Sequence, residues 1–118
     1  MPPREWGIRI EDIVAAIDLI LEYTHGMERA IFRSDRRTVD AVVRNLIIIG
    51  EAANHVPDAV AATHPEVPWA RMRGMRDLAV HEHFGVDEDV LWDTVKVNLP
   101  ALLPLLQRLL EDESAGDH

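Results

Sequence analysis

Residues 39–55 read VDAVVRNLIIIGEAANH. Val39, Val42, Val43, Leu46, Ile47, Ile48 and Ile49 recur at helical spacing, yet they cover more than one face. A helix that is apolar on several sides is buried on several sides. The segment is therefore expected at the centre of a helical domain, with its surplus apolar surface extended by a second copy of the chain. Asp35 and Thr38 are both suitable N-caps, and the helix must stop before Pro57. Strand signals are nearly absent: no segment alternates cleanly, and turn pairs such as Asn-Gly are missing.

Working outward, residues 8–25 form a first helix. Ile10, Ile13, Val14, Ile17, Ile20, Leu21 and Thr24 share one stripe, and Gly26 can close it in a left-handed conformation. Beyond the central helix, PDAVAATH reads as a short helix with Pro57 at its first position. HPEVPW is a turn or extended link. A further helix starts near Trp69 and ends near Phe84–Gly85, with Gly85 as its cap. Asp87 caps a last helix carrying Val90, Leu91, Val95, Leu99, Leu102, Leu103, Leu106 and Leu110. Pro100 and Pro104 should kink or split it. The expectation is an all-α, up-and-down bundle of four main helices plus a short one over residues 1–110. An acidic, disordered tail over 111–118 follows it.

At 118 residues the chain suits one hydrophobic core. It has no cysteine, which excludes disulfides and thiolate metal sites. No apolar run nears the roughly 20 residues needed to cross a bilayer, and the start, MPPREWGIRIED, lacks a signal pattern. A cytoplasmic protein with no membrane association is expected. The net charge of -9 argues against a broad nucleic-acid-coating surface. A small basic site remains compatible with it. Eleven of the twelve basic residues are arginine, a side chain suited to bidentate phosphate contacts, although compositional bias explains such an excess equally well.

That basic site is expected in RMRGMRDLAVHEHFG, residues 71–85, which gathers Arg71, Arg73, Arg76, His81 and His83. On an ideal helix Arg76 and His81 are separated by about 140° and about 7.5 Å of rise, so they are not a same-face pair. A flexible arginine could still lean toward the histidine. If the helices of two copies cross here, two Arg–His pairs meet in one cleft, where a phosphate would sit. Histidine, with an ordinary pKa of about 6.5, can take a proton from a ribose 2′-hydroxyl or return one to a leaving oxygen. Arginine stabilises charge building on the phosphate. Such chemistry needs no metal or cofactor and yields a cyclic phosphate. Alone, the spacing is weak: a surface arginine and a helix-capping histidine would look the same.

The wider pattern is more specific. RTVDAVVRNLIIIGEAANHVPDAV, then HPEVPWARMRGMRDLAVHEHFGVD, then LWDTVKVNLPALL, in that order, resembles the HepT-like branch of the HEPN superfamily across nearly the whole chain. The resemblance implies small all-α homodimers that act as toxin ribonucleases, cutting RNA without metal at an Arg-x4-His pair in a cleft at the dimer interface. It also implies a partner, a minimal nucleotidyltransferase antitoxin that adds AMP to a tyrosine two residues after the histidine. Carried over, the catalytic pair is Arg76 and His81. The AMP-accepting position holds His83 instead of tyrosine, and the chain's one tyrosine is Tyr23. Inhibition by direct binding, or modification elsewhere, is then the expectation. Asp77 stands where the family often has asparagine, and it could pair with Arg76 and weaken phosphate binding. The competing reading is a non-catalytic helical partner that binds nucleotide in the Arg–His cleft and regulates a nucleotidyltransferase. A plain dimeric scaffold is the third.

Other residues have weaker signals. His83 lies about 20° from Arg76 in helical angle and could be a second acid/base group or an RNA contact. Glu51, in an apolar stretch, needs a partner such as Arg44 or Arg76; an ion pair is expected over a catalytic acid. Gly50, costly by about 1 kcal/mol in a helix interior, points to a close helix approach. Arg29, Arg33, Arg36, Arg37 and Arg44 form a second basic group, read as a solvated face or an RNA track. His25, His55 and His64 show no metal spacing. Trp6, Trp69 and Trp92 are expected to pack in the interior, and the acidic run 87–89 to serve as helix-cap chemistry.

Overall fold

The stripe Ile10, Ile13, Ile17, Ile20 and Thr24 is fully buried, with Val14 and Leu21 packed at its margins. It belongs to helix α1, Arg4–Thr24. The computed structural model describes the backbone of residues 4–83 and 88–116. Side chains are described from residue 5 to 81 and from 89 to 112. The helix begins four residues earlier than its sequence pattern suggests, because Trp6 adds a further buried turn. It ends at Gly26, whose φ of 75° is available to glycine at little steric cost. Thr24 is buried without penalty: its hydroxyl donates to the Ile20 carbonyl at 2.8 Å.

Among the described residues the α-helices that follow are α2 (Arg29–Ser34), α3 (Arg36–Asn54), α4 (Asp58–Thr63), α5 (Trp69–Arg73), α6 (Met75–His83), α7 (Glu88–Asp93) and α8 (Leu99–Gly116). No strand occurs among the described residues. Asp35 is the N-cap of α3. Its carboxylate accepts from the Thr38 N–H at 3.2 Å and from the Thr38 hydroxyl at 2.9 Å. The central helix is α3, packing against α1 on one side and α5 and α6 on the other, while α1 also meets α8. Val39, Val42, Leu46 and Ile49 are buried, and each contributes about 1.5–3 kcal/mol. Val43 and Ile47 are half-buried and Ile48 is exposed, so α3 keeps an outward apolar strip.

Four departures from the sequence reading have local causes. Helix α2 is additional; its Phe32 packs on Trp92, sixty positions away, with ring centroids 5.0 Å apart. Pro57 is the N-cap of α4 rather than its first residue. The helix expected from Trp69 onward is broken at Gly74 into α5 and α6. The last helix is disturbed just before Pro100, where Thr94–Asn98 widen into a π-helical turn. Proline cannot donate to the carbonyl four residues back and its ring crowds that group, here Lys96. A π-bulge absorbs such a mismatch. Pro104 lies inside α8 without a break, and the backbone of residues 111–116, expected to fray, continues α8. The caps assigned to Gly85 and Asp87 lie outside the described residues. All three tryptophans are buried, as expected.

Candidate active site

Met75 and Ala79 are buried, which fixes the inner face of α6 and turns the remaining faces outward. Arg76, Asp77, Val80 and His81 are all exposed. At about 100° per residue, Val80 falls about 40° from Arg76, and Asp77 about 40° from His81. Arg76 and His81 thus flank one outward face, with the apolar Val80 left 43% exposed between them.

The Arg76 guanidinium is turned toward α3. Its Nη1 lies 3.0 Å from Glu51 Oε1, with the two side chains 57% and 45% exposed. The arginine therefore leans away from His81, and the carboxylate that holds it is Glu51, not its neighbour Asp77. Of the two partners open to Glu51 in the sequence, the fold selects Arg76. Gly50 makes this possible. A Cβ there would stand 2.8 Å from the Arg76 backbone nitrogen, 3.0 Å from Arg76 Cβ and 3.3 Å from the Arg73 carbonyl. The bare glycine lets α3 and α6 touch backbone to backbone, and the next residue, Glu51, is then at the right height to meet Arg76.

The other arginines of the segment do not join Arg76 in one cluster. Arg73 donates to Asp58 at 3.4 Å and to the Ala53 carbonyl at 3.5 Å, tying α5 to the end of α3 and to α4. Arg71 reaches the opposite way, to Asn98 Oδ1 at 3.5 Å. Beside it opens a cleft of about 280 Å³, lined by Arg71, Met75 and Leu78 on one wall and Val90, Thr94 and Asn98 on the other. The sequence reading missed this cleft because its walls lie about twenty residues apart in the chain. The signal was there: Val90, Thr94 and Asn98 are spaced four apart and face a row of residues three or four apart.

Comparison with known proteins now adds the decisive observation. The family model described as "Ribonuclease HepT-like" matches residues 13–109. The chain belongs to the ribonuclease HepT-like family. It is 45% identical over 100 residues to a Thermococcus cleftensis protein named "Probable ribonuclease HepT", covering 85% of this chain and 91% of the relative. It is 32% identical over 117 residues to a candidate RNase of Methanocaldococcus jannaschii, covering 99% and 97%. A candidate RNase of Caldanaerobacter subterraneus subsp. tengcongensis is 34% identical over 104 residues, covering 88% and 93%. No solved structure gives a significant match.

For this HepT-like chain, the remaining site residues divide as follows. His83 closes α6, but its side chain lies outside the described residues, so its proposed part in acid/base chemistry or RNA contact is not placed. Tyr23 is partly exposed on α1. In the second basic group, Arg29 pairs with Asp89 at 3.3 Å, and Arg36 donates through Nε and Nη2 to Asp40 at 2.9 and 2.7 Å. Arg44 borders the outward strip of α3, beside Val43, Ile47 and Ile48. His55 Nδ1 lies 2.8 Å from the Glu51 carbonyl, and His64 Nδ1 lies 3.6 Å from Glu66. Among the described residues no three His, Asp or Glu side chains are grouped to hold a metal ion. No described helix is long and apolar enough to cross a membrane.

Proposed function

We propose that this HepT-like protein is an endoribonuclease that cuts RNA without metal, with Arg76 and His81 as its catalytic residues and two copies forming each active cleft. The observation that carries the reading is the layout of α6 in a HepT-like chain. Arg76 and His81 flank an exposed valine, and the guanidinium is turned toward Glu51 on α3, away from the histidine. A second copy laid across Val80 would bury that apolar residue and bring one chain's imidazole beside the other's guanidinium.

The reaction needs only these groups and the substrate. The His81 imidazole accepts the proton of a ribose 2′-hydroxyl as its oxygen attacks the adjacent phosphorus. The new 2′-O–P bond forms, the P–O5′ bond breaks, and the leaving 5′-oxygen takes a proton from the second imidazole or from water. The products are a 2′,3′-cyclic phosphate and a 5′-hydroxyl. Arg76 stabilises the charge that builds on the phosphate oxygens. Glu51 is a positioning residue: it holds the guanidinium in place without touching RNA.

The HepT-like resemblance extends the proposal to a toxin whose inhibitor is a minimal nucleotidyltransferase. With histidine at position 83, that inhibitor acts by binding or at another residue. The test is cleavage of single-stranded RNA in excess EDTA by wild type, Arg76→Ala and His81→Ala. Cleavage by wild type, with loss of at least about 100-fold in each variant, is the expected result. Equal inertness of all three, together with tight binding to a nucleotidyltransferase, would replace this reading with the non-catalytic regulatory one.

A further inference from the structure

The cleft between α5/α6 and the α7–π segment is separate from Arg76, which faces α3, and its Leu78 end lies one turn from His81. Arg71, Gly74, Met75 and Leu78 form its near wall. They follow a three-to-four residue spacing, and His81 lies one turn beyond Leu78, about 60° round the helix from it, beside the end of that row. The far wall runs antiparallel, with Asn98 opposite Arg71 and Val90 toward the His81 end. The cleft is therefore polar at its Arg71–Asn98 end and more apolar toward Leu78 and Val90, the end nearer His81 in the chain.

Its chemistry suits one kind of occupant. Met75, Leu78 and Val90 supply apolar surface. The Thr94 hydroxyl donates to the Val90 carbonyl at 2.8 Å and is spent on the wall. At the polar end the Arg71–Asn98 contact is long, 3.5 Å. It uses one of five guanidinium N–H donors and the amide oxygen, which leaves the Asn98 NH₂ and further Arg71 donors able to meet a ligand. The volume of about 280 Å³ is just under the roughly 300–1,000 Å³ of sites for drug-sized molecules, so it admits a ring system and not a whole nucleotide chain. Single-stranded RNA offers such a group: an unstacked base presents flat apolar faces and a hydrogen-bonding edge.

We infer that this cleft is a base-binding subsite, in which one nucleobase next to the cleaved phosphate inserts between Leu78 and Val90 and its edge is read by Asn98 and Arg71. The inference rests on the ribonuclease reading for its ligand, and it makes Asn98 a specificity-determining residue.

The test measures binding and cutting separately. Binding uses non-cleavable 2′-O-methyl tetranucleotides that differ in one base, with wild type, Asn98→Ala and the cleft-filling Leu78→Trp. Cutting uses the matching RNA tetranucleotides. Wild type is expected to prefer one base by about tenfold or more, since a good base-edge contact is worth about 1–3 kcal/mol. Asn98→Ala should flatten that preference without weakening the poorer ligands, and Leu78→Trp should abolish it. His81→Ala should bind with the wild-type preference. An unchanged preference in Asn98→Ala would overturn the subsite while leaving the ribonuclease intact. So would a Leu78→Trp effect confined to the oligomeric mass, because the cleft would then be filled by protein. Base-selective binding lost in Asn98→Ala, but with no cutting by wild type, would sustain the subsite and defeat the ribonuclease reading.

Discussion

At the scale of single residues, the Glu51–Arg76 pair decides what α6 presents to solvent. Both side chains are about half exposed, so the pair contributes little stability, typically about 0–1 kcal/mol. Its effect is on position. Glu51→Ala is expected to leave the thermal midpoint nearly unchanged. It should lower RNA-cleaving kcat, and Glu51→Gln, which can still hold the guanidinium, should recover part of the loss. A large drop in midpoint with unchanged kcat would make Glu51 structural only. The sequence brought Glu51 and Arg76 into consideration but left Arg44 equally open as partner. That choice depends on how α3 and α6 pack, which spacing along the chain does not contain. Arg76 and His81 were singled out by the longer motif order and not by their interval, which a surface arginine and a helix-capping histidine would share.

At the scale of elements, legibility followed length. The buried stripes of α1 and α3 repeat over several turns and were plain in the sequence. Six-residue α2 was missed because it holds one buried residue, Phe32, whose partner Trp92 lies sixty positions away. The break at Gly74 was missed for a similar reason: it lies where α5 and α6 meet Gly50 of α3. Gly50→Ala tests that contact. Alanine gains about 1 kcal/mol of helix propensity, but its Cβ would meet backbone at 2.8 Å. Overpacking of this kind costs about 1–3 kcal/mol. The net expectation is a lower thermal midpoint, measured by calorimetry, and lost cleavage as Arg76 is displaced; an unchanged midpoint would contradict the close approach. Asp35 tests the cap of α3. The Thr38 hydroxyl and then the Thr38 N–H, both bonded to its carboxylate, hold its pKa below the ordinary aspartate value of 3.8. A lowered folded-state pKa adds stability that is present above the unfolded value and lost as pH falls through the folded one. Wild type should therefore lose its advantage over Asp35→Ala progressively below about pH 4. A difference independent of pH from 7 to 2 would contradict this.

At the scale of the whole molecule, the chain is a helical unit with unfinished surfaces. The outward strip of α3, with Ile48 exposed, and Val80 on α6 are apolar groups left facing water. Arg76 and His81 stand to either side of Val80 on a helix whose inner face is already committed to the core. The proposed cleft joins two copies there, with one chain's imidazole beside the other's guanidinium. The measurement that tests this most directly mixes two inert proteins. Arg76→Ala and His81→Ala, carrying different tags, are co-expressed, and the doubly tagged dimer is purified and assayed on RNA in EDTA. If the guanidinium of one copy serves the imidazole of the other, the mixed dimer cuts RNA although neither parent does. A mixed dimer of verified composition that remains as inert as its parents would contradict the account.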